Sequence, residues 1–339
     1  MTTWTPVDLL PGLWAGFLGA WLAWALRRWF DPVPLRVWGV VAAVLVVLFG
    51  PVLFGGAMLL PLDNLRGEVP FRRLAPTDPH GNILQGDLIQ LVAPSQAAVR
   101  EAWAEGRWPL WNRQAGAGLP LLADPQAQAL QPLVLLGHGF PLARAAGITA
   151  ALRVLVALVF GFLWMRRQGL GEAAALAGAL GFGLGGFLLL WLGWPLANSA
   201  ALLPLLLYAV ARCDEPGGRR DGLLLGIAAF AVLTGGHPET ILYDLGLALL
   251  FLIDRVRRRF QGLRMALVRR AGIAFVVAGL AAAPVLLPFV EYLPKTMRAA
   301  RMSAPAVGPA VKAYLPLAAP NAFGNSRYIH YWGRENTNE

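Results

Sequence analysis

The sequence predicts an all-α polytopic membrane protein, a helical bundle interrupted by one long polar loop. Hydrophobic residues make up 57% of the 339 residues and charged residues only 14%, about half the charged fraction of an average soluble domain. Apolar runs near the ~20 residues that a helix needs to cross hydrocarbon recur along the chain. Arginines are concentrated in alternate connections between these runs. Together these observations indicate several membrane-spanning helices.

Eight apolar segments are predicted to span the membrane. Some are short or contain proline, which membrane bundles tolerate when neighbouring helices satisfy the freed backbone groups. The N-terminus has no basic residue and carries Asp8, so we expect the first span to be retained rather than cleaved as a signal peptide. The predicted spans are 8–26, 37–60, 145–165, 171–191, 197–212, 221–235, 239–254 and 271–292.

The distribution of basic residues predicts the orientation. Four connections, RRWFDPVPLR, RRQGLG, RCDEPGGRRD and DRVRRRFQGLRMALVRR, hold about half of the 29 basic residues, and the alternate connections WLGWPLAN and TGGHPET hold none. Short cytoplasmic loops attract Lys and Arg, which places the N-terminus outside and the arginine-rich connections inside. The net charge of +10 is then explained by topology and anionic lipid, without a nucleic-acid partner.

Four parts follow from this orientation. Two N-terminal spans precede an extracytoplasmic loop, and six further spans precede an extracytoplasmic C-terminal segment. The predicted parts are 1–60, 61–142, 143–292 and 293–339. The expected location is therefore a membrane that the chain crosses several times.

The single cysteine, Cys213, excludes an internal disulfide and a thiolate metal cluster.

The long outer loop contains a predicted amphipathic helix. From Asp87 onward the apolar positions follow the recurrence of one helical face, and such a helix is expected to lie at the membrane surface. Asp87 itself suits an N-cap, because Asp accepts the orphan N–H groups of a first turn. Asp124 similarly suits the cap of a short helix before Pro125. The apolar positions are Leu88, Leu91, Val92, Val99 and Trp103.

Ionisable residues near or inside the spans have two interpretations each. His237 and Glu239 in the GGHPET turn are either ordinary residues of a helix start or part of a site with Asp87, where a neutral His serves as donor, proton shuttle or metal ligand. Arg153 and Asp244 lie within predicted spans, where charges need a partner or a wet cavity. They either form a structural pair, or Arg153 contacts a lipid phosphate through its planar fork.

Several motifs resemble one family. GDLIQLVAPSQ, EGRWPLWNRQAGAGLPLLADPQAQALQP, GGHPETILYD and YWGREN follow one another in the order found in the bacterial YfhO-like membrane proteins, which are placed in the GT-C class of membrane glycosyltransferases. The resemblance runs from about residue 84 to the C-terminus and is most specific in the W-P-L-W-N…G-x-P-L-L-A-D-P-Q run. One extra span, 8–26, precedes those usual in the family, and its predicted outer start keeps the long loop on the outer face. Relatives continue beyond this C-terminus, so we expect the chain to be a fragment.

The resemblance implies a protein of the bacterial cytoplasmic (inner) membrane, with a GT-C-like bundle whose first long outer loop carries an acidic catalytic residue. Asp87 matches that position best. Such enzymes transfer a sugar from a polyprenyl-phosphate carrier to an acceptor outside the cell, so a lipid-linked donor and membrane lipids are the expected partners. Asp124, His237 and Glu239 match motif positions without an assigned role.

A mechanism follows as an expectation. Ionised Asp87 takes a proton from the acceptor hydroxyl, burial near lipid raises its pKa, and one-step displacement inverts the anomeric centre. Arg153, Arg113, Arg72 and Arg73 are candidate phosphate contacts, and Trp111 and Asn112 are further substrate-binding candidates. A divalent cation remains open, since the oxygen and nitrogen ligands are scattered.

Two other functional classes remain open from the sequence. A transporter or flippase of a lipid-linked or polar substrate would line its path with Arg153 and Asp244 and use the outer loop as a lid, although the chain shows no convincing internal repeat. A non-catalytic membrane scaffold is the third class. A lipid-accessible hollow beside Asp87 would favour the enzyme, and an ionisable path through the bilayer midplane would favour the transporter.

Overall fold

The computed structural model describes residues 6–67, 85–214 and 219–296, together with 315, 319 and 322–324. In these ranges the regular structure is helical and contains no strand, which confirms the predicted all-α class. The chain forms two compact units. One comprises Met1–Leu60 with Val92–Phe289, and the other comprises Pro61–Leu91 with Val290–Glu339. The second part of the predicted outer loop, from residue 92, therefore belongs to the same unit as most of the helices.

Helices lie over most of each predicted span, but the helix of span 37–60 ends at Phe54, and span 171–191 is divided into Glu172–Gly183 and Gly186–Leu190. Within the described part of the chain, five segments are long and apolar enough to cross a membrane: Leu35–Phe54, Leu142–Arg167, Glu172–Leu190, Leu196–Cys213 and Arg264–Lys295. The helices over the other three predicted spans are shorter or less apolar. Among the described residues the α-helices are α1 Leu10–Trp29, α2 Leu35–Phe54, α3 Ala93–Ala104, α4 Pro132–Leu136, α5 Leu142–Arg167, α6 Glu172–Gly183, α7 Gly186–Leu190, α8 Leu196–Cys213, α9 Arg219–Leu233, α10 Pro238–Arg258 and α11 Gln261–Tyr292.

Helix α5 is the central helix of the larger unit. It packs against α2, α6 and α8, and α8 in turn packs against α9 and α10. Residues 147–163 of α5 are all buried, as expected for a helix that is apolar around its whole circumference. Helix α8 is buried to a similar degree and contains Pro204 without interruption of its span. Side chains on both helices are therefore held by protein on every side.

Acidic residues link the four arginine-rich connections at one end of this unit. Asp31, between α1 and α2, accepts hydrogen bonds from Arg167 at 2.5 and 2.8 Å and from Tyr208 at 2.7 Å. Asp214, after α8, accepts bonds from Arg255 at 2.8 Å and Arg259 at 2.7 Å. The connections that the sequence grouped on one side thus meet in space, and we call this side the arginine-rich end.

The Asp31 carboxylate is held in its ionised form. Partial burial alone would raise the pKa of Asp31, but the hydrogen bonds from Arg167 and Tyr208 and the charges of Arg167 and Arg212 lower it below the ordinary value of 3.8. A carboxylate shared among cations in this way neutralises part of a strongly basic cluster. It ties the connection between α1 and α2 to the ends of α5 and α8.

The predicted amphipathic helix is present, with a changed register. Asp87 lies inside the first helical turn, so the predicted N-cap role is wrong, although an acid there still complements the helix dipole. A π-helical stretch, Leu88–Val92, leads directly into α3. Leu91, on the predicted apolar face, is 41% exposed, whereas Ile89, outside that face, is buried. The wider π turn accounts for this change, because it alters which side chains share a face.

Candidate functional site at the arginine-poor end

The ADPQAQ segment folds as a capped turn. The Asp124 side chain accepts a hydrogen bond from the backbone N–H of Gln126 at 2.9 Å and caps the 3-10 helix Pro125–Ala127. The predicted cap is confirmed, and Pro125 occupies the first helical position, where its missing N–H costs nothing. Burial raises the pKa of Asp124, and the bond from Gln126 only partly offsets this effect.

The GGHPET turn is capped by its own histidine. The His237 Nδ1 accepts a hydrogen bond from the backbone N–H of Thr240 at 3.3 Å and lies 2.9 Å from the Thr240 Oγ1. Because a backbone N–H only donates, this Nδ1 carries no proton and the neutral ring holds its proton on Nε2. Glu239 is exposed in the first turn of α10, where the helix dipole favours an acid.

The two motifs lie against each other at Gly236. This glycine has φ +96°, and a Cβ placed there would lie 2.8 Å from the Gln128 Cγ, 3.0 Å from the Pro125 carbonyl oxygen and 3.0 Å from the Pro195 Cβ. Only glycine combines that backbone conformation with so close an approach. The structure therefore brings together the ADPQAQ turn, the GGHPET turn and the start of α8.

A buried polar network, which we name the Arg153 network, lies beneath this contact. The Arg153 Nε donates to the Asn198 Oδ1 at 2.8 Å, and its Nη1 donates to the Leu192 carbonyl. The Asn198 Nδ2 donates to the Gln128 Oε1 at 2.6 Å and to the Gly235 carbonyl at 2.9 Å. The network thus connects α5 and α8 to both turns, and every acceptor in it is a neutral amide or carbonyl oxygen.

The predicted structural pair of Arg153 with Asp244 is wrong. Arg153 is 4% exposed, and its hydrogen-bond acceptors in the described part of the chain are an amide and a carbonyl oxygen. Asp244 is 3% exposed, and its Oδ2 is buried without a hydrogen-bond partner among the described residues. Burial of this kind also closes Arg153 to a lipid phosphate in this arrangement, so its predicted phosphate contact is not seen.

The most specific motif of the sequence forms a small hairpin. Asn112 pairs with Leu119 through two backbone hydrogen bonds of 2.8 and 3.0 Å, and its side chain accepts from the Gln114 N–H at 3.0 Å. The Trp111 ring covers Gly118, whose absent Cβ leaves room for the indole nitrogen. Asn112 is buried, whereas Trp111 is 55% exposed and Arg113 is also exposed. The hairpin buries its amide and presents an aromatic ring and a cation outward.

The predicted catalytic residue lies in the smaller compact unit. The Asp87 side chain is exposed on the protein. Arg72 and Arg73 lie outside the described residues. Across the described ranges, no three residues of the types His, Cys, Asp and Glu converge closely enough to hold a metal ion.

Comparison with protein-family models, with curated proteins and with solved structures finds no match to the chain. The resemblance of its motifs to the YfhO-like proteins therefore remains an expectation from the sequence.

Two central residues of the site were missed from the sequence. Gln128 and Asn198 connect the two turns to Arg153, yet each sits in a segment that reads as a loop or an apolar span. A signal was available for Asn198, because a single amide in an apolar helix needs a buried partner. Gln128 adopts a left-handed backbone conformation, with φ 54°, that the neighbouring sequence does not predict.

Proposed function

We propose that this protein is a membrane glycosyltransferase of the GT-C class that moves a sugar from a polyprenyl-phosphate carrier to an extracytoplasmic acceptor. The observation that carries the proposal is the packing of the ADPQAQ turn on the GGHPET turn above the Arg153 network. These are the segments on which the resemblance depends, and they are far apart in sequence. Their convergence at one end of a membrane bundle is expected of a site.

Asp87 is the proposed base. Its carboxylate is exposed, so an acceptor hydroxyl in water reaches it without rearrangement of the protein. Asp87 takes the hydroxyl proton as the hydroxyl oxygen forms a bond to the anomeric carbon. The bond between that carbon and the phosphate oxygen breaks, and the phosphate leaves with the electron pair. Displacement in one step inverts the anomeric configuration.

The donor phosphate is assigned to Arg113 rather than to Arg153. Arg113 is exposed beside Trp111 on the hairpin, and tryptophan prefers the membrane interface, where a lipid phosphate lies. A planar guanidinium suits phosphate oxygens. Arg153, buried against Asn198, positions the two turns instead. Asp124, His237 and Glu239 are proposed to border the substrate, since their turns form the surface above that network.

Radiolabel transfer in proteoliposomes tests the proposal. The donors are a panel of polyprenyl-phosphate sugars, and the variants are Asp87→Asn and Asp124→Asn, with Asp254→Asn as a matched control because Asp254 pairs with Arg258 at the arginine-rich end. We expect Asp87→Asn to lower turnover about 100-fold or more, the usual worth of a general base. Less than about 10-fold loss in a folded Asp87→Asn protein contradicts the assignment.

A transporter of a lipid-linked or polar substrate is the second candidate, and Asp244 favours it. Asp244 is buried, and its Oδ2 has no hydrogen-bond partner among the described residues. Buried acidic residues in a membrane bundle are costly and mark ion pathways in pumps and transporters. Vesicle uptake distinguishes the two functions. If the protein is a transporter, Asp244→Asn should abolish uptake and Asp87→Asn should leave it unchanged. If it is an enzyme, Asp87→Asn should abolish sugar transfer and Asp244→Asn should leave it unchanged.

A further inference from the structure

A groove between α9 and α11 stands apart from the candidate site. It has a volume of about 970 Å³, at the upper end of the ~300–1,000 Å³ typical of ligand pockets. Its walls are apolar, with Phe230, Ile227 and Val277 among them. Close approach of the helices forms its floor, since a Cβ on Gly226 would lie 3.6 Å from the Ala274 carbonyl oxygen.

Three arginines stand at one end of the groove. Arg219 begins α9, and Arg269 and Arg270 lie near the start of α11, all at the arginine-rich end. The Arg270 Nη1 donates to the Cys213 carbonyl at 2.8 Å, which ties α11 to α8. Arg219 and Arg269 are exposed, and neither forms an ion pair with a carboxylate in the described ranges. The mouth of the groove therefore presents positive charge.

The groove reaches the depth of one membrane leaflet. Its lining extends from Arg269 to Ala281 on α11, which is about 18 Å at 1.5 Å per residue. Half of a hydrocarbon core of ~30 Å is ~15 Å. An apolar channel of this depth, with cations at the headgroup level, matches a single phospholipid.

We propose that this groove binds one anionic phospholipid, with its phosphate between Arg219 and Arg269 and an acyl chain along Ile227 and Val277. The proposed phosphate position, at Arg219 and Arg269, is at the beginning of α9 and near the beginning of α11, whereas the GGHPET turn follows the end of α9. The lipid site therefore does not depend on the proposed glycosyltransferase activity. By the predicted orientation, the occupied leaflet is the cytoplasmic one.

Native mass spectrometry of the full chain tests this site. The protein is released from mixed vesicles of phosphatidylglycerol and phosphatidylcholine with identical acyl chains, and retained lipid is counted. Arg219→Gln combined with Arg269→Gln removes the headgroup contact. Arg27→Gln combined with Arg28→Gln is the matched control, because this exposed pair lies at the same end in the last turn of α1 and does not line the groove. Ile227→Trp fills the groove from its exposed side.

We expect wild type and the Arg27/Arg28 control to retain phosphatidylglycerol in preference to phosphatidylcholine. The Arg219/Arg269 variant should lose roughly tenfold or more of its apparent affinity for phosphatidylglycerol, since each interfacial cation contributes. Ile227→Trp should lower retention of both lipids. Equal retention of the two lipids by wild type overturns the proposal, as does equal loss in both arginine pairs. Dimers that Ile227→Trp abolishes would also overturn it, because a second copy would then occupy the groove.

Discussion

The Nε of Arg153 donates a hydrogen bond of 2.8 Å to the Oδ1 of Asn198, and a cation buried in α5 thereby rests on a neutral amide in α8. Buried charges in proteins are usually paired with an opposite charge. Asn198 also donates to Gln128 and to the Gly235 carbonyl. One amide therefore satisfies an arginine on one side and positions two sequence-distant turns on the other.

Removal of this amide should destabilise the protein more than its size suggests. Asn198→Leu leaves the Arg153 Nε and the Gln128 Oε1 without partners, and we expect a loss of about 2 kcal/mol or more in the free energy of unfolding. Ser199→Ala is the matched control, because its hydroxyl reaches the Val232 carbonyl only at 3.5 Å. Denaturant titration in detergent micelles measures both variants.

A double-mutant cycle identifies the pair as the cause. Arg153→Met combined with Asn198→Leu removes both polar groups together, and we expect its loss to be smaller than the sum of the single losses by about 1–3 kcal/mol. Additive losses would mean that the two side chains do not stabilise each other, and the Arg153 network would then lose its role in positioning the turns.

Gly236→Ala should separate the two turns. The backbone there has φ +96°, and a Cβ would meet the Gln128 Cγ at 2.8 Å, so we expect a loss of about 1–3 kcal/mol from the strained backbone alone. Gly246→Ala, in α10 with no atom within 4 Å of the added Cβ, should instead stabilise the helix by about 0.5–1 kcal/mol. Thermal unfolding in detergent compares the two variants. A similar shift in the same direction for both would contradict the packing at Gly236.

The arginine-rich end should lose stability in acid through Asp31. The pKa of this carboxyl is below its ordinary value of 3.8 because the bonds from Arg167 and Tyr208 and the nearby cationic charges outweigh the effect of burial. Its contribution is therefore complete above about pH 4 and is lost as pH falls through the lowered pKa. Asp31→Asn should lower the free energy of unfolding at pH 7 and reduce its fall below pH 4. Unfolding measured at a series of pH values tests both effects. Asp254→Asn, in an exposed pair with Arg258, should change neither.

The helices were more predictable than the contacts between them. Apolar length locates α2, α5, α8 and α11 directly, because hydrocarbon imposes a minimum length on a spanning helix. Arginine clustering also grouped the four connections that Asp31 and Asp214 join. The π-helical insertion before α3 could not be foreseen, since one extra residue per turn changes the buried face without a marker in composition.

The two turns of the site were predicted from the sequence, but Gln128 and Asn198, which connect them to Arg153, were not. The cap at Asp124 was predictable from the local sequence, because Asp is among the best N-cap residues and here it directly precedes a Pro. The Arg153–Asp244 pair failed because charge complementarity in sequence says nothing about which helix faces point at each other. Arg153 instead bonds to Asn198, and that choice depends on the packing of α5 on α8.

His237 and Asp124 allow capping to be separated from chemistry, because asparagine replaces both caps. Asn is among the best N-cap residues, so His237→Asn should keep the bond to the Thr240 N–H while removing the imidazole Nε2. His237→Ala should cost about 1 kcal/mol of stability. Asp124→Asn should keep the cap on Gln126 and remove an ionised group that burial disfavours.

The pH dependence of stability shows whether ionisation of Asp124 stabilises or destabilises the fold. Burial raises the pKa of Asp124, so the folded state resists ionisation and stability falls as pH rises from 3.8 through the raised value. Asp124→Asn should remove this decline and be as stable as wild type or more so at pH 7, whereas Asp124→Ala should lose about 0.5–2 kcal/mol with the cap. If the Asn variants at both positions fold normally and still lose sugar transfer, the imidazole and the carboxylate act on substrate. If they transfer at wild-type rates, both residues serve only to cap their turns, and the surface above the Arg153 network is no longer the place where the sugar moves.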